Sequence, residues 1–290
     1  YLSDNTKTQL LTLIQQHPRF EEDFIQRMPT SIARGDQQTQ LNWLMGQAAF
    51  WPDIARGIPE SEREKYNHPQ WHYIDGAWLR GAADSHGNTY VGVSKRTDIE
   101  GEEAESIQAE RDIQTVMTTL DYNTRLLADK ATPAVERAIA LCWVLHLMGD
   151  IHNPLHAGSL YSSRLFIDGD RGGGRIDTDN GSLHARWDQA LGDERIEDNL
   201  QAILQAQAEF EPPKSAADWS LWLSESRELV LTVVYTDAMK QQIIAADRQR
   251  LAMSESVLTS DYVRRMKQIS RQRLGLAGWR LANWFDDALN

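Results

Sequence analysis

The sequence predicts an all-α fold, a single mainly helical domain running over residues 1–290. Three observations predict it. Apolar residues recur at three- and four-residue steps along most of the chain, strand-like stretches are confined to two glycine- and aspartate-rich excursions, and no internal repeat, linker or low-complexity tract divides the sequence. With 41% apolar and 25% charged side chains, 290 residues suffice for one sizeable core.

The elements follow in order. Leu10, Leu13 and Ile14 mark a first helix, Leu41, Leu44 and Ala48 a second, and Ile113, Val116, Met117 and Leu120 a third. Val135, Ile139, Cys142 and His146 form one stripe of an unusually apolar helix, which predicts that His146 and its carboxylate Asp150 enter the interior. A helix over residues 196–210 stops before Pro212 and Pro213. Residues 218–240 read as another, with Trp219, Trp222 and Leu223 on one side, and residues 262–284 as a long closing amphipathic helix. The excursions, residues 81–93 and 158–183, predict a short hairpin at most.

Composition narrows the function. Forty-two acidic against thirty basic residues give a formal charge of -12, which argues against a broad basic surface for duplex nucleic acid. An anionic phosphate ligand would therefore need a metal to attract it. The longest apolar segment, residues 138–148, is broken by His146 and falls short of the ~18 apolar residues of a membrane span. The lone cysteine, Cys142, excludes an intramolecular disulfide and reads as a buried, inert thiol. The chain opens at Tyr1 without an initiator Met, which predicts processing or a missing leading segment.

The chemistry-bearing residues fall into three groups. His146 and Asp150 stand four apart on one helical face and can share an ion, which removes the cost of taking a carboxylate inside. Pro154 then bends the chain and aims His156 in a new direction, as a second ion requires. His184 and Asp188 repeat the four-residue spacing. Asp53, after Trp51-Pro52, and His72, between Trp71 and Tyr73, complete the set. A single His-x-x-x-Asp pair is more often a solvated pair or a core histidine; three coincident groups using four of the eight histidines favour metal. Imidazole and carboxylate donors without thiolate suit hydrolytic zinc, although imidazole accepts other divalent ions. His17, His68 and His86 read as surface residues, and His152 as a hydrogen-bonding neighbour of a ligand. The loop from Gly169 through Gly172, Gly173 and Gly174 is either a phosphate cradle of N–H groups or a plain turn. Arg56 is either a phosphate contact or a surface charge; Tyr73 could stack a base, cover a lipid head group or belong to the core.

These residues resemble a known family, the zinc-dependent single-strand-specific nucleases and 3′-nucleotidases of fungi and plants, related to bacterial zinc-dependent phospholipase C. The resemblance is carried by Trp51-Pro-Asp53, Trp71-His72-Tyr73-Ile74-Asp75, the run from His146 to His156, Asp170-Arg-Gly-Gly173 and the run from Leu183 to Asp188. It continues weakly through Trp222, Glu225, Tyr235 and Ala277 to Asn283, spanning nearly the whole chain. It implies a zinc cluster at the bottom of a cleft, with Asp53, His72, His146 and Asp150 on a first zinc and His156, His184 and Asp188 on a second. Asp150 would also bridge to a third zinc, otherwise held by an N-terminal tryptophan and a nearby histidine. Tyr1 to Thr6 resembles the stretch after that segment, so two zinc ions follow from the ligands present and three if the segment exists upstream.

By the same resemblance Tyr73 and Asp75 stack on and bond a nucleobase, and Arg56 contacts phosphate. The loop over residues 158–169 is longer than in the fungal enzymes, and Gly174 stands where the family often has asparagine. The implied activity is cleavage of single-stranded DNA or RNA, and of 3′-nucleotides, through a metal-activated hydroxide oriented by Asp150. The rivals are a phospholipase C, or a zinc-binding homologue with impaired catalysis. A bacterial, exported (periplasmic or secreted) monomer without an obligate protein partner completes the expectation.

Overall fold

The computed structural model describes residues 2–74, 88–93, 115–192, 196–208 and 217–289. In chain order its helices are α1 (Asp4–Ile14), α2 (Thr30–Ala33), α3 (Gln37–Ile54), α4 (Glu60–Tyr66), α5 (Val116–Ala128), α6 (Ala134–Asp150), α7 (Leu183–Asp188), α8 (Ile196–Ala208), α9 (Trp219–Leu229), α10 (Asp237–Gln249) and α11 (Ser260–Leu289). The strands are β1 (Thr89–Val91), β2 (Leu160–Ser162), β3 (Asp177–Thr178) and β4 (Gly181–Ser182). The fold is all-α, as the periodicity predicts. It forms two compact units, Tyr1–His72 with Thr118–Gly149 and Gly278–Asn290, and Tyr73–Met117 with Asp150–Ala277.

In the first unit, α1 begins where Ser3 Oγ accepts the Thr6 N–H at 3.2 Å. The Ser3 N–H and the Thr6 hydroxyl both donate to Asp286, which pins this cap to the last turns of α11. Leu10, Ile14, Phe24, Ala48, Trp51, Leu127, Leu141 and Phe285 meet in one buried core, so the apolar steps read in the first two helices do face inward. Each such large side chain contributes about 1.5–3 kcal/mol by leaving water. Helix α6 is buried nearly all round from Ala138 to Val144. Asp150 is buried as expected and His146 is half-buried, while Val135, in the first turn, is 44% exposed.

His17 overturns the surface reading. It is buried, its ring 4.3 Å from that of Trp51 and 5.2 Å from that of Phe24, while Nδ1 accepts the Arg19 N–H at 3.2 Å. Polar neighbours in sequence concealed a turn that tucks the ring under α3. His68 is half-buried and stacked on Trp71 at 4.0 Å; His86 lies outside the described residues.

In the second unit, β1 and β2 pair in parallel, Thr89 opposite Leu160 and Val91 opposite Ser162, whereas β3 and β4 form a two-residue antiparallel hairpin. The excursions thus pair with each other as well as locally, a long-range register that local alternation does not carry. Asp170, fully buried, holds this region: Oδ1 accepts the Leu160 N–H at 2.9 Å and Oδ2 the Tyr235 hydroxyl at 2.8 Å. That second bond lies at another departure. The helix expected over 218–240 passes into a π-helical segment, Val230–Val234, turns extended at Tyr235 and restarts as α10, capped by Thr236 Oγ1. Val91, Leu155, Leu160, Ile176, Trp187, Val234 and Ile243 make the second core.

Candidate metal centre

The first unit gathers Asp53, His72 and His146, each offering a donor atom within 4.8 Å of the others. Asp53 sits in the last turn of α3, directly after Pro52, whose missing N–H loosens the helix there. His72 ends a single 3-10 turn, Pro69–His72, and is buried with its ring edge-on to Trp143 of α6 at 5.5 Å. His146 lies one turn beyond Trp143 on the same helix. Its Nδ1 is 2.7 Å from the carbonyl oxygen of Ala49 and its Nε2 is 2.8 Å from His72 Nδ1. A carbonyl only accepts, so Nδ1 carries the proton and Nε2 presents a lone pair toward His72.

The second unit gathers His156, His184 and Asp188 in the same way. Pro154 opens the 3-10 turn Pro154–His156, and Asn153 caps it by accepting the Leu155 N–H at 3.0 Å. The predicted bend after Asp150 is therefore present. His184 and Asp188 occupy the two ends of α7's face, with His184 Nε2 3.2 Å from Asp188 Oδ2. His156 Nε2 is 3.6 Å from Asp188 Oδ1, and its ring stacks on that of His184 at 5.0 Å. Asp150, expected beside Asp53, His72 and His146, is in neither trio; its Oδ1 lies 3.2 Å from His156 Nδ1. Burial alone would raise the Asp188 carboxyl; the neighbouring His156 and His184 rings outweigh it and hold the group far below the ordinary carboxylate range.

The glycine loop has a role that neither expected reading supplies. Arg171, Gly172 and Gly173 all adopt positive φ, and a Cβ on Gly172 would lie 2.1 Å from the Leu155 carbonyl oxygen. This approach delivers the Gly172 carbonyl to His184 Nδ1 at 2.9 Å. The Gly172 and Gly174 N–H groups are taken by Ser159 Oγ and the Arg171 carbonyl. The loop orients an imidazole through a carbonyl.

The residues fit divalent metal. In both trios a histidine has its proton anchored on a backbone carbonyl, the arrangement that fixes a ligating ring. Asp53 Oδ1 is buried and makes no hydrogen bond among the described residues; Arg56 Nη2, 2.6 Å away, forms an ion pair outside hydrogen-bond alignment. A family model described as S1/P1 Nuclease matches residues 1–290. The chain belongs to the S1/P1 nuclease family. No curated protein matches it.

Membership in the S1/P1 nucleases makes the chain a hydrolase of phosphodiester bonds within a metal-dependent family. Among the described residues no helix is long and apolar enough to cross a membrane. Of the residues expected to meet substrate, Arg56 is 57% exposed beside Asp53, and Tyr73 is 36% exposed. The Ile74 N–H next to Tyr73 donates to the His156 carbonyl at 2.9 Å, which sets Tyr73 near the second trio. Asp75 lies outside the described residues. His152 is in neither trio; it is buried against Trp222, and its carbonyl accepts from Arg273 Nε at 3.1 Å.

Sequence reasoning missed Asn153, whose Nδ2 donates to Asp188 Oδ1 at 2.8 Å, and the two carbonyls, Ala49 and Gly172. A backbone acceptor leaves no trace in residue identity. The run of glycines at 172–174 was the one available signal.

Proposed function

We propose that this S1/P1 nuclease is a zinc-dependent endonuclease that cleaves single-stranded DNA or RNA and removes phosphate from 3′-nucleotides, and that residues 1–290 act as one catalytic domain. The observation that carries the proposal is the pair of trios, Asp53–His72–His146 and His156–His184–Asp188, each with one imidazole locked by a carbonyl. All six donors are nitrogen or carboxylate oxygen, the set that suits zinc in hydrolysis. Zinc held by these residues would supply Lewis-acid chemistry, activating water near neutral pH and stabilising a departing oxygen.

The chain's own residues do the rest. Asp150, which the resemblance makes a metal ligand, orients the attacking water. Its distance to His156 Nδ1 allows that ring to donate to the carboxylate and keep Nε2 toward Asp188. Arg56, exposed and fixed by Asp53, takes a phosphate oxygen. Tyr73 offers an exposed ring for a base that has left its stack, the reason single strands are favoured. The resemblance also supports an exported, monomeric enzyme.

The experiment is zinc analysis of the purified protein with hydrolysis assays on single-stranded DNA, duplex DNA and phosphatidylcholine. Two or three zinc ions per chain and preferential cleavage of single strands are expected. Cleavage of phospholipid alone would convert the reading to a phospholipase C, and bound zinc without hydrolysis of any substrate to a catalytically impaired homologue.

A further inference from the structure

Asp23 is an acidic side chain, 1% exposed, in the π-helical segment Glu21–Ile25 of the first unit. A buried carboxylate is costly unless every acceptor is used, and this one is well supplied. Arg19 Nε donates to Oδ2 at 2.7 Å and Arg19 Nη2 to Oδ1 at 3.3 Å; Trp51 Nε1 donates to Oδ2 at 3.0 Å. Its carbonyl accepts Gln47 Nε2 at 2.6 Å. Arg27 stands 3.8 Å from Oδ1. Burial alone would raise this carboxyl, but the bonds from Arg19 and Trp51, with the charges of Arg19 and Arg27, hold it below the ordinary range.

The two contacts to α3 sit where that helix is weakest. Pro52 has no N–H for the Ala48 carbonyl, so one rung of the helical ladder is missing. Gln47 and Trp51 are four residues apart, on one face, and form the rung immediately before that gap. Within and just beyond the same turn lie the Ala49 carbonyl, which fixes the His146 ring, and the Asp53 carboxylate. Trp51 is fully buried and held on another side by His17 and Tyr66. An ion pair enclosed this deeply is weak evidence for stability, because an apolar replacement of equal volume often stabilises as well. Its position points to geometry.

We infer that Asp23 is a positioning residue for the first metal-ligand trio: through Trp51 and Gln47 it clamps the proline-weakened turn of α3 that supplies both Asp53 and the carbonyl holding His146. The inference rests on the zinc reading above.

The test is zinc affinity by chelator competition, in a His184→Ala background where the remaining zinc reports the first trio. Residues bonded directly to metal ligands typically change affinity by about 10–100-fold, and Asp23 acts one residue farther out through Trp51 and Gln47, so the low end of about tenfold is expected. Asp23→Ala is expected to weaken zinc by that much, and Trp51→Phe, which deletes the indole N–H donor together with part of the buried ring, to weaken it in the same direction. Combining them should cost no more than Asp23→Ala alone, since both act through one bond. Should Asp23→Ala fail to fold, Trp51→Phe carries the test. Unchanged zinc affinity in Trp51→Phe, or in a folded Asp23→Ala that has lost only thermal stability, overturns the inference. Absence of zinc from the unsubstituted protein would instead overturn the zinc reading itself.

Discussion

His184 Nδ1 lies 2.9 Å from the carbonyl oxygen of Gly172, and only glycine can bring that carbonyl there. A methyl group at position 172 would meet the Leu155 carbonyl oxygen at 2.1 Å on a backbone already at φ +56°. Gly172→Ala must therefore shift the loop and release the His184 ring. The expected outcome is a loss of about 1–3 kcal/mol of stability and roughly 10–100-fold weaker zinc binding at the second trio. Thermal unfolding and metal analysis check both, and full retention of zinc would contradict the account.

His146→Ala and Asp150→Ala remove donors that neighbouring residues do not replace. Hydrolysis of single-stranded DNA should fall to background in both, with reduced zinc per chain. Full activity in a metal-depleted variant would refute the proposed role. Asn153→Ala, which takes away one donor to Asp188 and the cap of the 3-10 turn, should be milder, about tenfold in activity.

Arg56 discriminates between a phosphate contact and a surface charge. Its ion pair with Asp53 is exposed on the arginine side, so Arg56→Ala should change stability by less than about 1 kcal/mol. If Arg56 holds phosphate, KM for single-stranded DNA rises severalfold or more, and Arg56→Lys restores it only in part because the planar fork is lost. Steady-state kinetics showing wild-type KM in Arg56→Ala would assign it to the surface.

His17 predicts an acid-sensitive fold. Burial, with Arg19 nearby, outweighs the attraction of Asp23 and lowers this imidazole to about 3 from its ordinary 6.5. The unfolded chain then binds the proton more readily than the folded one between those values. Stability contributed by neutral His17 is complete above about pH 6.5 and is lost as pH falls toward 3, with a slope of up to about 1.4 kcal/mol per pH unit. His17→Asn keeps an acceptor for the Arg19 N–H and cannot titrate. Urea unfolding between pH 7 and 4 should show a shallower decline in this variant.

The all-helical class was legible because it is written in side-chain spacing, and so was the pairing of His184 with Asp188, whereas the grouping of Asp53 with His72 and His146 was implied only by the family resemblance. The four-residue steps from His146 to Asp150 and from His184 to Asp188, and the proline that turns His156, are local rules. What escaped depends on partners distant in sequence. The parallel pairing of β1 with β2 joins segments that show no mutual signal. The helix expected over 218–240 breaks at Tyr235, whose hydroxyl is claimed by Asp170, and Thr236 then caps the helix that follows. His17 is surrounded by polar residues in sequence, yet its turn carries it beneath Trp51. The carbonyls of Ala49 and Gly172 were invisible for a different reason: every residue has one.

The donors of the first trio are far apart along the chain; His72 and His146, 2.8 Å from each other across two nitrogens, are separated by 74 positions. A denatured polypeptide does not assemble such a grouping, so a cation captured there distinguishes folded from unfolded molecules. By mass action each tenfold excess of free zinc over its dissociation constant then adds about 1.4 kcal/mol to the apparent resistance to unfolding. Chelation should lower the melting temperature as well as silence the enzyme.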